Sequence, residues 1–251
     1  MHVINFLRKS RVVLRTRVIG NRGCDSRLRN FFRDSQVMEV VSGLTHIEVT
    51  NDDPIALFKN WLEEARSFST PMPRAFCLAT TSGCGKVSAR HLLLGRLDDD
   101  GFVTTTNGRS PKSQDLSEVP SAAMCFHWAY RRENGETVSR QVRIEGTVAK
   151  LRREEYEDIY EKSDISYKIR DHICEQSSPV DWNELKATHD RMLEKIKSGG
   201  VAPPMPEHTA GYKLFPSSME FYYAKGRLIA DRVLFLKNPK ASDWTHHHLA
   251  A

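Results

Sequence analysis

The sequence of 251 residues contains no run of eighteen apolar residues, so no segment is expected to span a membrane. It also lacks a CxxC pair, because its five cysteines are scattered, and Cys77 and Cys125 lie inside apolar, strand-like runs. This usage argues against a disulfide framework or a zinc site and favours small buried side chains in a reducing compartment. A glycine-rich phosphate loop and a Rossmann fingerprint are both absent, so any bound nucleotide must be held by side chains.

Two further features limit the function. Three adjacent histidines, His246, His247 and His248, lack the spacing of a ligand set on a helix or loop, so no metal site is predicted. The net charge of +5 is modest, and much of it lies near the N-terminus, which argues against a nucleic-acid-binding protein. A hydrophobic content of 39% is sufficient for one buried core.

Acidic residues are absent from positions 1–24, where basic residues alternate with Val, Leu, Ile and Phe. A basic, acid-free leader of this kind is typical of a mitochondrial presequence. A disordered basic leader without a targeting role is an equally good interpretation, and both stay open. The sequence predicts a leader over residues 1–50, one folded domain over 51–251, and a cytoplasmic or mitochondrial rather than secreted protein.

The hydrophobic pattern of the folded part predicts more strands than helices. A first helix is indicated by Asp53 as N-cap and Pro54 at the first helical position. Further helices are predicted at about 153–162 and 182–197. Alternating patterns predict antiparallel strands in AFCLATTS, KVSARHLLLGRL, GFVTTTN, SAAMCFHWAY, VSRQVRIEGTVAKL, GYKLFP, MEFYYA and DRVLFL. The predicted fold class is mainly β with flanking helices, built as an antiparallel barrel.

One predicted strand, SRQVRIEG, carries three large polar side chains on one face: Gln141, Arg143 and Glu145. This face is either exposed to solvent or lines a pocket for an anion. Other cationic and hydroxyl side chains also lie near strand ends, where they could bind a phosphate. They are Arg90, Thr105, Thr106, Arg227 and Arg232.

The motifs ARHLLLG, GFVTTTN, SRQVRIEGTVAKL, EQSS, GYKLFPSSMEF and GRLIADRVLF resemble, in this order, those of the pyridoxine/pyridoxamine 5'-phosphate oxidases. The resemblance runs from about Asp53 to the C-terminus. It implies an FMN-binding split barrel and a homodimer with the flavin at the subunit interface, so that the polar face of SRQVRIEG looks at the flavin. By position, it implies these cofactor-binding residues: Arg90, His91, Leu92, Leu93, Thr105, Thr106, Lys112, Gln141, Gln176, Ser177, Tyr222 and Arg232.

The flavin motifs differ from the family pattern at three positions. Pro111 stands where the family has an arginine, His91 replaces an apolar residue, and Tyr222 replaces a tryptophan. The remaining cations can still meet the FMN phosphate, so flavin binding remains the expectation.

The substrate motifs differ more. The resemblance implies Arg227 as the catalytic residue over the substrate ring, and Tyr160, Ser166 and Arg227 as substrate-binding residues. However, Gly95 occupies the position of a phosphate-binding lysine, and Asp164 or a gap occupies that of an arginine. A histidine of the family is replaced by Ile229 and Ala230. Arg96, Lys162 or Lys168 could compensate for the lost cations.

Three hypotheses follow. The first is an oxidase that converts a phosphorylated B6 vitamer to pyridoxal 5'-phosphate, passes a hydride to FMN and uses oxygen as the final acceptor. The second is an FMN-binding relative with another substrate or with lost activity. The third is a dimeric scaffold without ligands. Family resemblance favours the first hypothesis, and the changed substrate positions favour the second.

Overall fold

The computed structural model describes residues 43–68, 70–241 and 243–250, so most of the predicted leader lies outside the described residues. The described helices are α1 (Pro54–Ser67), α2 (Pro111–Glu118), α3 (Glu157–Glu161), α4 (Ile165–Ile173) and α5 (Trp182–Lys197). The described strands are β1 (Ala75–Thr81), β2 (Val87–Leu93), β3 (Arg96–Asp98), β4 (Gly101–Asn107), β5 (Ser121–Arg131), β6 (Thr137–Lys150), β7 (Thr209–Lys225), β8 (Asp231–Lys237) and β9 (Trp244–Leu249).

The strands form one antiparallel sheet in the order β2-β1-β5-β6-β7-β4-β3, and β8 and β9 extend it from β7. Strand β7 has 17 residues and pairs with β6 along most of its length. On its other edge it pairs first with β4 and then with β8, so the sheet divides into two branches along β7. The prediction of a mainly β, antiparallel architecture with flanking helices is confirmed.

Helix α1 begins as predicted, because the Asp53 side chain caps it by accepting a hydrogen bond from the Ile55 amide. The apolar face of the helix packs into an aromatic core. There the Phe58 ring meets the Phe102 and Phe126 rings edge-on, at centroid distances of 5.0 and 4.8 Å. None of the five described helices combines the length and the apolar composition that a membrane span requires.

The Glu64 carboxylate ties the polar side of α1 to the sheet. It accepts hydrogen bonds from Tyr130 at 2.7 Å, Arg132 at 2.8 Å and Arg140 at 2.5 Å. Arg140 is buried, and its guanidinium stacks over the Trp61 ring at 4.5 Å. Burial alone would raise the pKa of Glu64, but these hydrogen bonds and the Arg140 charge hold it below its usual 4.5.

The variant Glu64→Gln is expected to lower the free energy of unfolding by about 2 kcal/mol at neutral pH, because Arg140 loses its counter-charge inside the protein. A depressed carboxyl pKa stabilises the fold above the unfolded value and stops doing so as pH falls through the folded value. The difference between wild type and variant should therefore shrink below pH 4.5. Denaturant unfolding measures it, with Glu63→Gln, an exposed neighbour on α1, as the control. Equal losses in both variants would contradict this role.

Several elements differ from the sequence-based expectation. Helices α2 and α4 were not predicted, and GYKLFP and MEFYYA form one strand, β7, rather than two. The C-terminal histidines lie in β9, whose polar run hides the alternation of a strand. Residues 43–50 lie against the sheet: Leu44 forms a bridge with Ile229, and Ile47 is buried.

Candidate functional site

The first group of predicted site residues centres on Lys112, near the start of α2. Lys112 is only 4% exposed, and its Nζ donates to the hydroxyl of Ser110, the N-cap of α2, at 2.7 Å. Among the described residues, no carboxylate forms an ion pair with it. A buried ammonium at the positive end of a helix is unfavourable unless an anion joins it.

Arg90 on β2 lies in the same region. Its guanidinium donates to the Thr80 hydroxyl at 2.7 Å and to the Leu78 carbonyl at 3.3 Å. The Asp115 carboxylate of α2 is 3.9 Å away and accepts from Thr80 at 2.6 Å. This network fixes the Arg90 side chain on the α2 side of the sheet.

The electrostatics of this group point to an anion site. Burial, together with the smaller effects of the Arg90 and Arg170 charges, lowers the pKa of Lys112 from 10.5 to about 8. Lys112 therefore lies at a helix N-terminus and within the influence of two further cations, although the Arg170 guanidinium itself bonds to Asp171 at 2.8 Å. We call this group the α2 cradle: Arg90, Ser110, Lys112 and Arg170. Such a set of donors suits a phosphate group.

The second group forms a row across three neighbouring strands. Gln141 on β6 pairs with Tyr222 on β7, which pairs with Arg232 on β8. All three side chains are half-buried, and Arg232 donates to the Glu220 carboxylate at 2.9 Å and to the Ala250 carbonyl at 3.0 Å. We call these three residues the cross-strand row.

The cradle and the row lie on opposite faces of the sheet. Arg90 is directly opposite Leu78, whose side chain is in the core, whereas Gln141 lies between the buried Arg140 and Val142. Since successive residues of a strand point to opposite faces, Gln141 faces away from the core. Within one chain, the structure therefore does not bring the two groups together.

The other predicted cofactor residues lie on β2, on β4 and in the turn after α4. Thr105 and Thr106 lie near the end of β4, five and four residues before Ser110, and Leu92 packs against the core. His91 pairs with Cys77, next to Leu92 and Leu93 on β2. Gln176 and Ser177 are exposed in a turn after α4, and the φ angle of Ser177 is 73°. The helix before this turn carries Arg170 of the cradle.

The predicted substrate residues are separate. Tyr160 is 5% exposed, and its hydroxyl is within hydrogen-bond distance of the Pro203 and Pro204 carbonyls, at 3.3 and 3.1 Å. Ser166 is exposed in the first turn of α4. Arg227 is exposed in the turn between β7 and β8, and its side chain has no hydrogen bond or ion pair with another described residue.

The cations that could compensate for the changed substrate positions already have partners. Arg96 donates to Asp98 at 2.6 Å and to Asp158 at 3.0 Å, and the Asp98 hydrogen bond raises its pKa. At Gly95, a Cβ atom would lie 2.9 Å from the Ile159 side chain, so a lysine does not fit there unless Ile159 moves. Lys162 and Lys168 bond to Asp158 and to the Glu161 carbonyl, respectively.

Sequence reasoning missed two members of the cradle, Ser110 and Arg170. A signal for Ser110 was present, because a serine followed by proline is a common helix start. Arg170 had no such signal, since its place in the cradle depends on how α4 packs.

Comparison with known proteins shows to which family the chain belongs. The family model described as "Pyridoxamine 5'-phosphate oxidase" matches residues 62–193. The chain belongs to the pyridoxamine 5'-phosphate oxidase family. A curated relative from Janthinobacterium sp. (strain Marseille), named pyridoxine/pyridoxamine 5'-phosphate oxidase, is 33% identical over 80% of this chain and 90% of its own. A relative of the same name from Burkholderia cenocepacia (strain HI2424) is 35% identical over 79% of this chain and 89% of its own.

Solved structures show the same fold. PhzG from Burkholderia lata 383, solved with tetrahydrophenazine-1-carboxylic acid, is 28% identical with a TM-score of 0.68 and covers 80% of this chain and 94% of its own. A pyridoxamine 5'-phosphate oxidase-related, FMN-binding protein from Nostoc punctiforme has a TM-score of 0.61 at 17% identity, over 78% of this chain and 96% of its own. The predicted split-barrel fold and family are confirmed, and the family is one of oxidoreductases.

Proposed function

We propose that this family member is an FMN-dependent oxidase of phosphorylated B6 vitamers that works as a homodimer. Flavin binding is supported mainly by Lys112 near the start of α2, which is buried, is influenced by the Arg90 charge and has no carboxylate partner among the described residues. Its environment suits the phosphate of FMN, which would neutralise the cluster of positive charge.

The two-sided arrangement of the site residues supports the homodimer. The α2 cradle of one copy would hold the FMN phosphate, and the cross-strand row of a second copy would contact the ring. Tyr222 offers an aromatic face, and Gln141 and Arg232 offer hydrogen-bond donors to the polar ring edge. When bound, FMN would supply the hydride acceptor, and dioxygen would reoxidise the reduced flavin and be reduced to hydrogen peroxide.

Arg227 is the group that we assign to the vitamer. Its exposed guanidinium has no competing partner among the described residues, so it is free to cover the substrate ring or bind its polar substituents. Tyr160 and Ser166 remain the proposed contacts for the substrate phosphate. For Tyr160 this role requires its hydroxyl to exchange the Pro203 and Pro204 carbonyls for the phosphate.

A second candidate is an FMN-binding relative that acts on a different substrate. It is favoured by the surroundings of Gly95 and Arg96. The Ile159 side chain fills the space beside Gly95, and the Arg96 guanidinium already forms ion pairs with two carboxylates. A phosphate-free substrate would need neither position. PhzG, at 28% identity, was solved with a carboxylic acid ligand rather than a vitamer phosphate.

Anaerobic reduction of the FMN-loaded protein by pyridoxine 5'-phosphate decides between the two. For the oxidase, the oxidised flavin absorption should bleach, and Arg227→Ala should slow bleaching about tenfold to a hundredfold at unchanged flavin content, since it removes a charged hydrogen-bond partner. Lys225→Ala, nearby at the end of β7 and paired with Glu136, is the control and should bleach normally. A flavin that is bound but does not bleach would reject the oxidase and leave the second candidate.

A further inference from the structure

Three side chains from distant parts of the sequence converge beside β8, on the face opposite Arg232. His46 precedes α1, Asp231 begins β8, and His248 lies in β9. The Nδ1 atom of His248 is 2.9 Å from one Asp231 oxygen, and that of His46 is 3.7 Å from the other. One nitrogen or oxygen atom of each residue lies within 4.8 Å of the others.

The carboxylate in this group is held in place. The Asp231 side chain is 11% exposed, and one of its oxygens accepts the Ile47 amide at 2.7 Å. Its other oxygen lies 2.9 Å from the His248 Nδ1 atom, so both oxygens of the carboxylate have a partner that fixes their position. A fixed anion with two nearby imidazoles is a common ligand set for a divalent metal.

The imidazole of His46 is available. Its distance of 3.7 Å from Asp231 exceeds a hydrogen bond, and its side chain is 71% exposed. The His46 and His248 rings stack at 5.3 Å with an angle of 13° between their planes, so both edges approach the same carboxylate. The nitrogen lone pairs lie in the ring planes, so shared coordination at about 2 Å requires the two rings to rotate out of this stack, and the 71% exposed His46 side chain has the room to do so.

We propose that His46, Asp231 and His248 bind one zinc-like divalent metal ion, with water completing the coordination. Each imidazole binds through Nδ1 and carries its remaining proton on Nε2, so metal binding would replace the hydrogen bond between His248 Nδ1 and Asp231. The ion would link residues 43–50, which precede α1, to β8 and β9. Because adjacent residues of β8 point to opposite faces, this site is separate from Arg232 and the cross-strand row.

The three adjacent histidines do not contribute equally to this site. His248 faces Asp231, whereas His246, on the same face, is 2.9 Å from Asp52. His247 pairs with Leu234 and points to the other face of β9. The run of histidines is therefore not a site in itself, which is why its spacing gave no metal prediction.

The test is a Zn²⁺ titration of the full-length, tag-free, chelator-treated protein against a competing chromophoric chelator. We expect one tight site in the wild type and at least about tenfold weaker binding in His46→Ala and in His248→Ala. His247→Ala is the matched control and should bind like wild type. Zn²⁺ should also raise the melting temperature of the wild type and of His247→Ala, but not of the two ligand variants.

Two outcomes would overturn the proposal. One is a wild type with no competitive Zn²⁺ binding and no shift in melting temperature. The other is an equal loss in His247→Ala and His248→Ala, which would assign the ion to the exposed histidine run alone. The melting temperatures without metal verify that each variant is folded.

Discussion

Replacing Lys112 with methionine is expected to weaken FMN binding by about tenfold to a hundredfold. The reason is the loss of one charge-assisted hydrogen bond to the phosphate, which contributes about 1.5 to 3 kcal/mol. The apolar side chain suits the buried position, so the flavin-free variant should unfold no earlier than wild type. Quenching of FMN fluorescence measures the affinity, and thermal unfolding measures the stability.

Lys86→Met is the control, since Lys86 is an exposed lysine in the turn before β2. It should leave the FMN affinity unchanged. If Lys112→Met and Lys86→Met bind FMN equally well, the phosphate does not lie in the α2 cradle.

The same lysine predicts how FMN binding depends on pH. A phosphate beside Lys112 favours its charged form, so the bound protein should hold a proton that the free protein loses near pH 8. FMN affinity should therefore decrease as pH rises above about 8. In Lys112→Met this decrease should disappear, which separates the titration of Lys112 from that of other groups.

Replacing Gly146 with alanine is expected to lower the free energy of unfolding by about 3 kcal/mol or more. A Cβ at this position would overlap the carbonyl oxygen of Phe215 and lie 2.8 Å from its carbonyl carbon. The neighbouring backbone cannot easily move, because β6 and β7 change register between Glu145 and Gly146. Thermal unfolding should show a decrease of about 6 to 12 °C in Tm.

Thr147→Ala, at the next position of β6, is the matched control. Thr147 is exposed, so its loss should change the unfolding free energy by no more than about 0.5 kcal/mol. Identical Tm values for the two variants would show that β7 accommodates a side chain at Gly146 and that the close approach is not required.

The elements with strong local signals were predictable from sequence. Asp53 and Pro54 marked the start of α1, and the alternation in SRQVRIEG placed Gln141 and Arg143 on one face of β6. Helix α4 and strand β9 were missed, because α4 is short and β9 has an unbroken polar run. Such elements are defined by packing against the rest of the fold rather than by local pattern.

The candidate site was predictable as a set of residues but not as a geometry. Sequence motifs placed Arg90, Lys112 and Tyr222 in one list, and could not show that Lys112 is buried or that Tyr222 lies on the other face of the sheet. Those facts depend on strand pairing between distant segments. The same applies to His46 and Asp231, which are 185 positions apart and meet only when β8 is formed.

Riboflavin provides the most direct test of whether the α2 cradle binds the phosphate of a flavin. Riboflavin has the same ring as FMN but no phosphate, so wild-type protein should bind FMN at least about a hundredfold more tightly, because two or more charge-assisted hydrogen bonds are lost with the phosphate. Fluorescence titration with both ligands measures the ratio. Equal affinities, or no binding of FMN, would show that the α2 cradle does not bind a flavin phosphate.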